Sequence, residues 1–256
     1  MAQTSQFRYA SMDNALYVGL SRQMVLRREM DIIANNIANL DTNGFKVESL
    51  RQKTLPGAPA QTFGGPKPIK FVAADGVNRD FGQGVLVKTG APLDMAIEGE
   101  GFFQVQGPNG PRFTRDGRFT TDPNGKLVSQ GGLPVLDEGG GEIVIDAEKG
   151  AVAIGPDGSL SQGIERVGKV GMFSFANAAA LEKTGDNLYR NASNLTAEKA
   201  ETAVLRQGFL ESSNVKPILE ISRMVEVSRA YETTSKMIDS GADLSRRAIE
   251  RLGRLQ

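Results

Sequence analysis

The sequence predicts an α+β chain, with long N- and C-terminal α-helices, coiled-coil-like and paired on assembly, flanking an all-β central body. Three observations predict it. Near the N-terminus Met12, Leu16, Gly19, Gln23, Leu26, Met30, Ile33, Ile37 and Leu40 follow an alternating 4-3 spacing. Near the C-terminus Pro217, Ile221, Met224, Ser228, Tyr231, Ser235, Ile238, Ala242, Ser245, Ile249 and Leu252 do the same. That spacing keeps one stripe of a helix turned toward a partner helix. Between the two seams, short apolar runs alternate with turn-forming clusters, the pattern of a β body.

The first helix runs from Met12 to Leu40 and stops at Asp41-Thr42-Asn43-Gly44, where Gly44 tolerates positive φ. Residues 1–11 are polar and aperiodic, and read equally as an overcalled start, a tag or a loose arm. Residues 12–44 then form an N-terminal assembly helix. Residues 45–68 form a connecting region: Phe45 to Leu55 suits a strand or a helix extension. Pro56-Gly57-Ala58-Pro59-Ala60 and Gly64-Gly65-Pro66-Lys67-Pro68 break both.

Residues 69–205 form the β-rich domain, sandwich-like or barrel-like. Its strands are expected at Val85–Val87, Leu93–Ile97, Phe102–Val105, Ile143–Ile145, Ala151–Ile154 and the longer run Val167–Phe175. Asn109-Gly110, Asn124-Gly125 and Asp157-Gly158 suit tight turns. Ala176–Lys183 reads as a short helix. Residues 206–256 hold a transition and the C-terminal helix, with Pro217 in its first turn, where a missing N–H costs nothing.

Composition narrows the function. The chain has 256 residues, enough to bury a full core. Lys+Arg and Asp+Glu both number 30, so no broad basic face argues for nucleic acid. Aromatics are 6% and Trp is absent, which leaves few platforms for base stacking. His and Cys are both absent. Most metal ligands, thiol nucleophiles and imidazole bases are thereby removed. No cofactor and no small-molecule substrate are expected. No apolar run approaches the roughly 18–20 residues of a transmembrane segment, and no apolar h-region marks a secretory signal.

The candidate catalytic groups are weak. Asp94, Glu98 and Glu100 could be pictured as an acid/base set for glycoside cleavage, which needs two placed carboxylates. Glu100 lies in Gly99-Glu100-Gly101, so solvated turn carboxylates are the simpler reading. Gly82-Gln83-Gly84 and Gly139-Gly140-Gly141 lack the setting of a phosphate loop. Arg27-Arg28 and Arg246-Arg247 read as solvated helix faces, with an interface salt bridge as the alternative. Asn35, Asn36 and Asn39 are unusual near a helix end, because their amides compete for backbone groups. They read either as fraying and capping or as donors and acceptors for a neighbour.

Four stretches carry a resemblance. They are Ala34-Asn35-Asn36-Ile37-Ala38-Asn39-Leu40-Asp41-Thr42-Asn43-Gly44-Phe45-Lys46, then Leu93 to Val105, then Phe113-Thr114-Arg115-Asp116-Gly117-Arg118-Phe119, and Gly208-Phe209-Leu210-Glu211-Ser212-Ser213-Asn214-Val215. In this order they resemble the bacterial flagellar basal-body rod and hook family. Met12-Asp13-Asn14-Ala15-Leu16-Tyr17 resembles the opening of its proximal rod branch. The distal rod branch is the alternative, and a secreted β-rich peptidoglycan-acting enzyme is the alternative from another class.

The resemblance implies a structural, non-enzymatic subunit of the proximal rod. It implies export through the flagellar type III apparatus. Helical assembly with other rod proteins and copies of itself would then build a torque-transmitting shaft for motility that spans the periplasm. Terminal segments without a partner lose more conformational entropy than they gain in burial, so they would order on assembly. The expected assembly residues are Leu16, Leu26, Met30, Ile33, Asn35, Asn36, Ile37, Asn39, Leu40, Ile221, Met224, Tyr231, Ile238, Ala242, Ile249 and Leu252.

Overall fold

The computed structural model describes residues 3–55 and 71–253, with side chains for 17–52 and 76–251 except 245, 248 and 249. The Pro/Gly clusters at 56–60 and 64–68 lie outside the described residues, as do the side chains of Met12, Leu16, Ser245, Ile249 and Leu252.

The chain forms two compact units. Unit 1 gathers helix α1 (Gln3–Ala38), strands β1 (Glu48–Leu55) and β2 (Phe71–Arg79), and helix α2 (Pro217–Gly253). Unit 2 holds residues 38–47 and 79–216.

In unit 1, Leu26 and Ile33 of α1 are buried with Val227 of α2, and Met30, Ile37, Met224, Ala230 and Tyr231 pack against them. A Cβ added at Gly19 would lie 2.9 Å from Ile238 Cγ1, so the glycine lets the helices approach closely. Strands β1 and β2 pair as a two-stranded sheet.

The expected fold class is corrected here. Long, coiled-coil-like terminal helices that pair on assembly are not supported. Among the described residues there are two α-helices, and the stretch of α1 with described packing, Gly19 to Ile37, spans only about five turns. The helices already pack within one chain, and a β pair belongs to their unit, so they do not simply flank a β body. The α+β composition is partly consistent with the expectation. Helix α1 also begins at Gln3, not Met12.

The phase of α2 differs too. Its inward row is Glu220, Met224, Val227, Tyr231, Thr234, Ile238 and Gly241, whereas Ile221 and Ala242 are exposed and Ser228 and Ser235 are half-buried. Half of the expected stripe is therefore displaced by one residue. A single step on a helix turns a side chain by about 100°.

Unit 2 is built from short strands: β3 (Leu86–Lys88), β4 (Met95–Glu98), β5 (Phe102–Gly107), β6 (Gly110–Thr114), β7 (Phe119–Thr121), β8 (Leu127–Ser129), β9 (Val152–Ile154) and β10 (Ser159–Gln162). They continue as β11 (Glu165–Lys169), β12 (Met172–Ser174), β13 (Glu182–Gly185), β14 (Leu188–Arg190), β15 (Glu198–Lys199), β16 (Val204–Gln207) and β17 (Phe209–Glu211). The largest sheet is six-stranded and antiparallel, in the order β13-β14-β6-β5-β12-β15. Strands β11-β10-β9 form a second sheet, and β16-β4, β17-β3 and β7-β8 form pairs.

Side-chain alternation along β5 feeds two cores. Phe103 and Val105 join Met95, Ile97, Leu127 and Leu160 in an aliphatic core. Phe102 joins Phe113, Phe175, Leu181 and Tyr189 in an aromatic one. Edge-on contacts such as Phe113–Phe175, with centroids 4.8 Å apart, order the aromatic core.

Three elements depart from expectation. Ile143–Ile145 makes a single bridge, Lys126 to Val144, and no strand. The run from Val167 to Phe175 is split at Val170-Gly171. Ala176–Lys183 holds only a 3-10 turn at Ala178–Ala180, because Leu181 drops into the aromatic core and Glu182 opens β13.

Candidate assembly site

Two buried polar nodes anchor the segments that carry the expected assembly residues. The first lies in unit 1, at the end of α1. Asn36 is fully buried. Its Oδ1 accepts the Glu48 N–H at 3.0 Å, and its Nδ2 donates to the Glu48 carbonyl at 2.8 Å. The side-chain amide thus imitates a neighbouring β-strand at the first residue of β1. The second Nδ2 proton goes to Glu220 Oε2 at 2.9 Å. One asparagine therefore ties α1, β1 and α2, using both amide protons and accepting through its oxygen. Glu220 is 3% exposed, and its other oxygen accepts from Arg223 at 3.2 Å. This bond explains the phase of α2: Glu220 turns inward, so Ile221 must turn out.

The second node lies in unit 2. Lys46 and Glu211 have fully buried side chains and meet at 2.6 Å. Arg115 donates to the other Glu211 oxygen at 3.2 Å, to the Ile97 carbonyl at 3.1 Å and to the Gly99 carbonyl at 2.6 Å. Lys46 also donates to the Gly82 carbonyl at 2.8 Å, and the Gly84 N–H donates to Glu211 at 2.8 Å. Burial pushes the Lys46 ammonium and the Arg115 guanidinium below their ordinary pKa values, against the opposing pull of Glu211.

The backbone around this node is laced together. The Gly44 N–H donates to the Glu211 carbonyl at 2.7 Å, the Val47 N–H to Asn214 Oδ1 at 2.7 Å, and the Asn214 amide to the Asp80 carbonyl at 2.9 Å. Gly44 has φ +66° and lies against the Arg115 backbone, where a Cβ has no room.

Next along the chain, Asp116 accepts the Arg118 N–H at 3.1 Å. Burial raises its carboxyl pKa above the ordinary value. A raised carboxyl pKa costs folding free energy at neutral pH. The cost vanishes as pH falls below the unfolded value, where both states are protonated. Asp116→Asn keeps an oxygen for the Arg118 N–H. It is expected to stabilise unit 2 at neutral pH by up to about 1 kcal/mol and to lose that gain in acid. Thermal melts at the two pH values check this, and a variant no more stable at neutral pH would contradict it.

The expected assembly residues divide as follows. Leu26, Met30, Ile33, Ile37, Met224 and Tyr231 meet in one cluster, and Ile238 lies against Gly19. Asn36 is buried, and Asn35 reaches a Glu48 oxygen at 3.4 Å. Asn39 accepts from Thr42 at 3.1 Å within unit 2, where Leu40 is half-buried. Ile221 and Ala242 are exposed. Sequence reasoning missed Glu48, Glu220, Val227, Lys46, Arg115 and Glu211 as anchoring residues. Lys46, Arg115 and Glu211 stand inside the motif stretches, but nothing in their spacing announces a shared ion cluster.

The chain aligns over 95% of its length, and over the whole of the relative, with the flagellar basal-body rod protein FlgF of Caulobacter vibrioides at 55% identity. The chain belongs to the flagellar basal-body rod family. Residues 16–46 match the rod-family description "Flagella basal body rod protein", 96–162 match "Flagellar hook protein FlgE/F/G D1 domain", and 206–251 match "Flagellar basal body rod FlgEFG protein C-terminal". FlgF of Mesorhizobium japonicum is 37% identical over 94% of this chain and 99% of the relative. The rod protein FlgG of Bacillus subtilis is 34% identical over 90% and 96%.

The chain is a structural rod subunit of the flagellum, placed in its basal body. Rod-family membership implies assembly with other flagellar rod components. Among the described residues no helix is long and apolar enough to cross a membrane. The ion cluster draws one residue from each rod-family segment: Lys46 from the first, Arg115 from the second and Glu211 from the third.

Proposed function

We propose that this rod subunit is of the proximal, FlgF type and is delivered unfolded through the flagellar type III export apparatus. It assembles helically with other rod proteins and with copies of itself, in the part of the drive shaft that spans the periplasm, and so transmits torque for motility. The 55% identity to a FlgF protein, against 34% to a FlgG protein, supports the proximal type.

One observation carries the assembly reading. Each helix has a second apolar stripe turned away from its partner. On α1, Tyr17, Leu20 and Met24 are 63%, 49% and 66% exposed at i, i+3 and i+7. On α2, Ile218, Ile221 and Val225 are 79%, 54% and 45% exposed at the same spacing. Stripes of this kind fit helices packed in a crowded layer. Contacts between unlike faces propagate without closing and build a filament.

The inward residues Leu26, Met30, Ile33, Asn36, Ile37, Met224, Tyr231 and Ile238 hold the subunit's own helices in place. Ile221 and the outer stripes meet neighbours. We read the subunit as non-catalytic. Asp94 is buried and accepts from Thr89 at 2.6 Å, while Glu98 pairs with Arg206 at 2.7 Å, so two of the three candidate carboxylates already have partners.

Met24→Asp combined with Val225→Asp tests the reading. Both positions are exposed, so the purified chain should melt like the wild type. Its recovery in isolated basal bodies should fall at least about tenfold, since an interface anchor is worth on the order of 2 kcal/mol. Normal incorporation and swimming would overturn the assignment of the outer stripes.

A further inference from the structure

Asparagine followed by glycine is the pair most open to spontaneous deamidation, because no Cβ hinders the glycine nitrogen as it approaches the asparagine side chain. The chain carries the pair at 43–44, 109–110 and 124–125. The fold treats the three differently.

The Gly44 N–H donates to the Glu211 carbonyl at 2.7 Å, and the residue is wedged against the Arg115 and Asp116 backbone. The Gly125 N–H donates to the Asp122 carbonyl at 3.0 Å, and its carbonyl accepts from Ile145 at 2.7 Å. Asp122 also holds Asn124, through its N–H at 2.9 Å and its amide at 3.4 Å.

At the third pair the Gly110 N–H also has a partner, the Gly107 carbonyl across the turn, so the difference lies in Asn109 itself. It is exposed at the tip of the β5–β6 hairpin, where Gly107 faces Gly110 and only Pro108 and Asn109 form the turn. Nothing lies within 4 Å of the position a Gly110 Cβ would take. Among the described residues no hydrogen bond holds the Asn109 side-chain amide.

We propose that Asn109 is a deamidation site of the folded protein, and that the same chemistry is slowed at Asn43 by the packed Gly44 backbone and at Asn124 by the Asp122 carboxylate that holds its amide. The Gly110 backbone nitrogen loses its proton and bonds to Asn109 Cγ. The Cγ–Nδ2 bond breaks, and the nitrogen leaves as ammonia. Water then opens the cyclic imide at either carbonyl and gives aspartate or isoaspartate. The product places a new carboxylate near Arg112, whose guanidinium reaches the Gly110 carbonyl at 3.4 Å. Hairpin tips open locally at little cost, whereas releasing Gly44 requires a larger unit to unfold, and Gly125, also in a hairpin turn, is held further by the Ile145 N–H.

The test ages the purified full-length chain in mildly alkaline buffer, with and without urea, and maps each Asn-Gly peptide by mass spectrometry. An isoaspartyl methyltransferase reports the isoaspartate. In the folded protein Asn109 is expected to convert at least about tenfold faster than Asn43, whose release is a subglobal opening, and measurably faster than Asn124. In urea the three rates should converge, and Asn109→Gln should remove the fast signal. Equal rates in the folded protein would overturn the proposal, as would an unchanged Asn109 beside full conversion in urea.

Discussion

Glu211→Ala is expected to destabilise unit 2 by on the order of 3–5 kcal/mol, because it leaves two buried cations without their anion. Lys46 and Arg115 share this one carboxylate, and all three side chains are at most 3% exposed. The substitution also strands the Gly84 N–H. The asymmetry of the cluster ranks the variants. Lys46→Met removes one cation and leaves a balanced Glu211–Arg115 pair, so it should cost clearly less. Glu211→Gln keeps an acceptor but not the charge, and should fall between them. Urea denaturation of the purified variants measures all three. A Glu211→Ala protein as stable as the wild type, or one more stable than Lys46→Met, would refute the account. Replacing Lys46, Arg115 and Glu211 together with apolar residues should recover much of the loss, since buried ions are weak net stabilisers when apolar packing can replace them.

Asn36→Leu is the second large effect, and it falls on unit 1. Leucine has the same heavy-atom branching but is larger and offers no hydrogen bond. The Glu48 N–H, the Glu48 carbonyl and one Glu220 oxygen would each lose a partner inside a buried node. Each stranded group costs about 1–3 kcal/mol, so a loss on the order of 4 kcal/mol is expected, far beyond what leucine's apolar area can offset. Asn36→Asp should be at least as harmful at neutral pH. It keeps the acceptor for Glu48 but brings a third carboxylate to Glu48 and Glu220. Its defect should shrink in acid as the new group takes a proton. Melting of the helical signal by circular dichroism reads both variants. If Asn36→Leu melts within about 1 kcal/mol of wild type, the node does not hold the unit.

Part of this was legible in the sequence. Leu26, Met30, Ile33 and Ile37 face inward as their spacing requires, because α1 offers one strong apolar row beside Val25 and Ile32. The phase of α2 was not. A hydrophobic pattern places Ile221 inside and Glu220 outside, and only the Asn36 amide, 184 residues away, reverses them. The Asn109-Gly110 turn could be read from local chemistry, since positive φ at a hairpin tip selects glycine. Ile143–Ile145 looks like a strand because β-branched residues favour extended backbone, but partner strands decide pairing, and a single bridge was all that was available. The cluster of Lys46, Arg115 and Glu211 could not be foreseen as a cluster. Charged residues default to the surface, and no periodicity connects positions so far apart.

The ion cluster also dictates an order of events. Lys46 and Glu211 are separated by 165 residues, so the bond between them closes a loop most of the chain long. A chain that emerges from its N-terminus first presents Lys46 and Arg115 well before Glu211. Until that carboxylate arrives, both cations lack the anion that makes their burial affordable. The last strand of unit 2 is therefore expected to close as a latch, since a contact between such distant positions costs loop entropy before it gains anything.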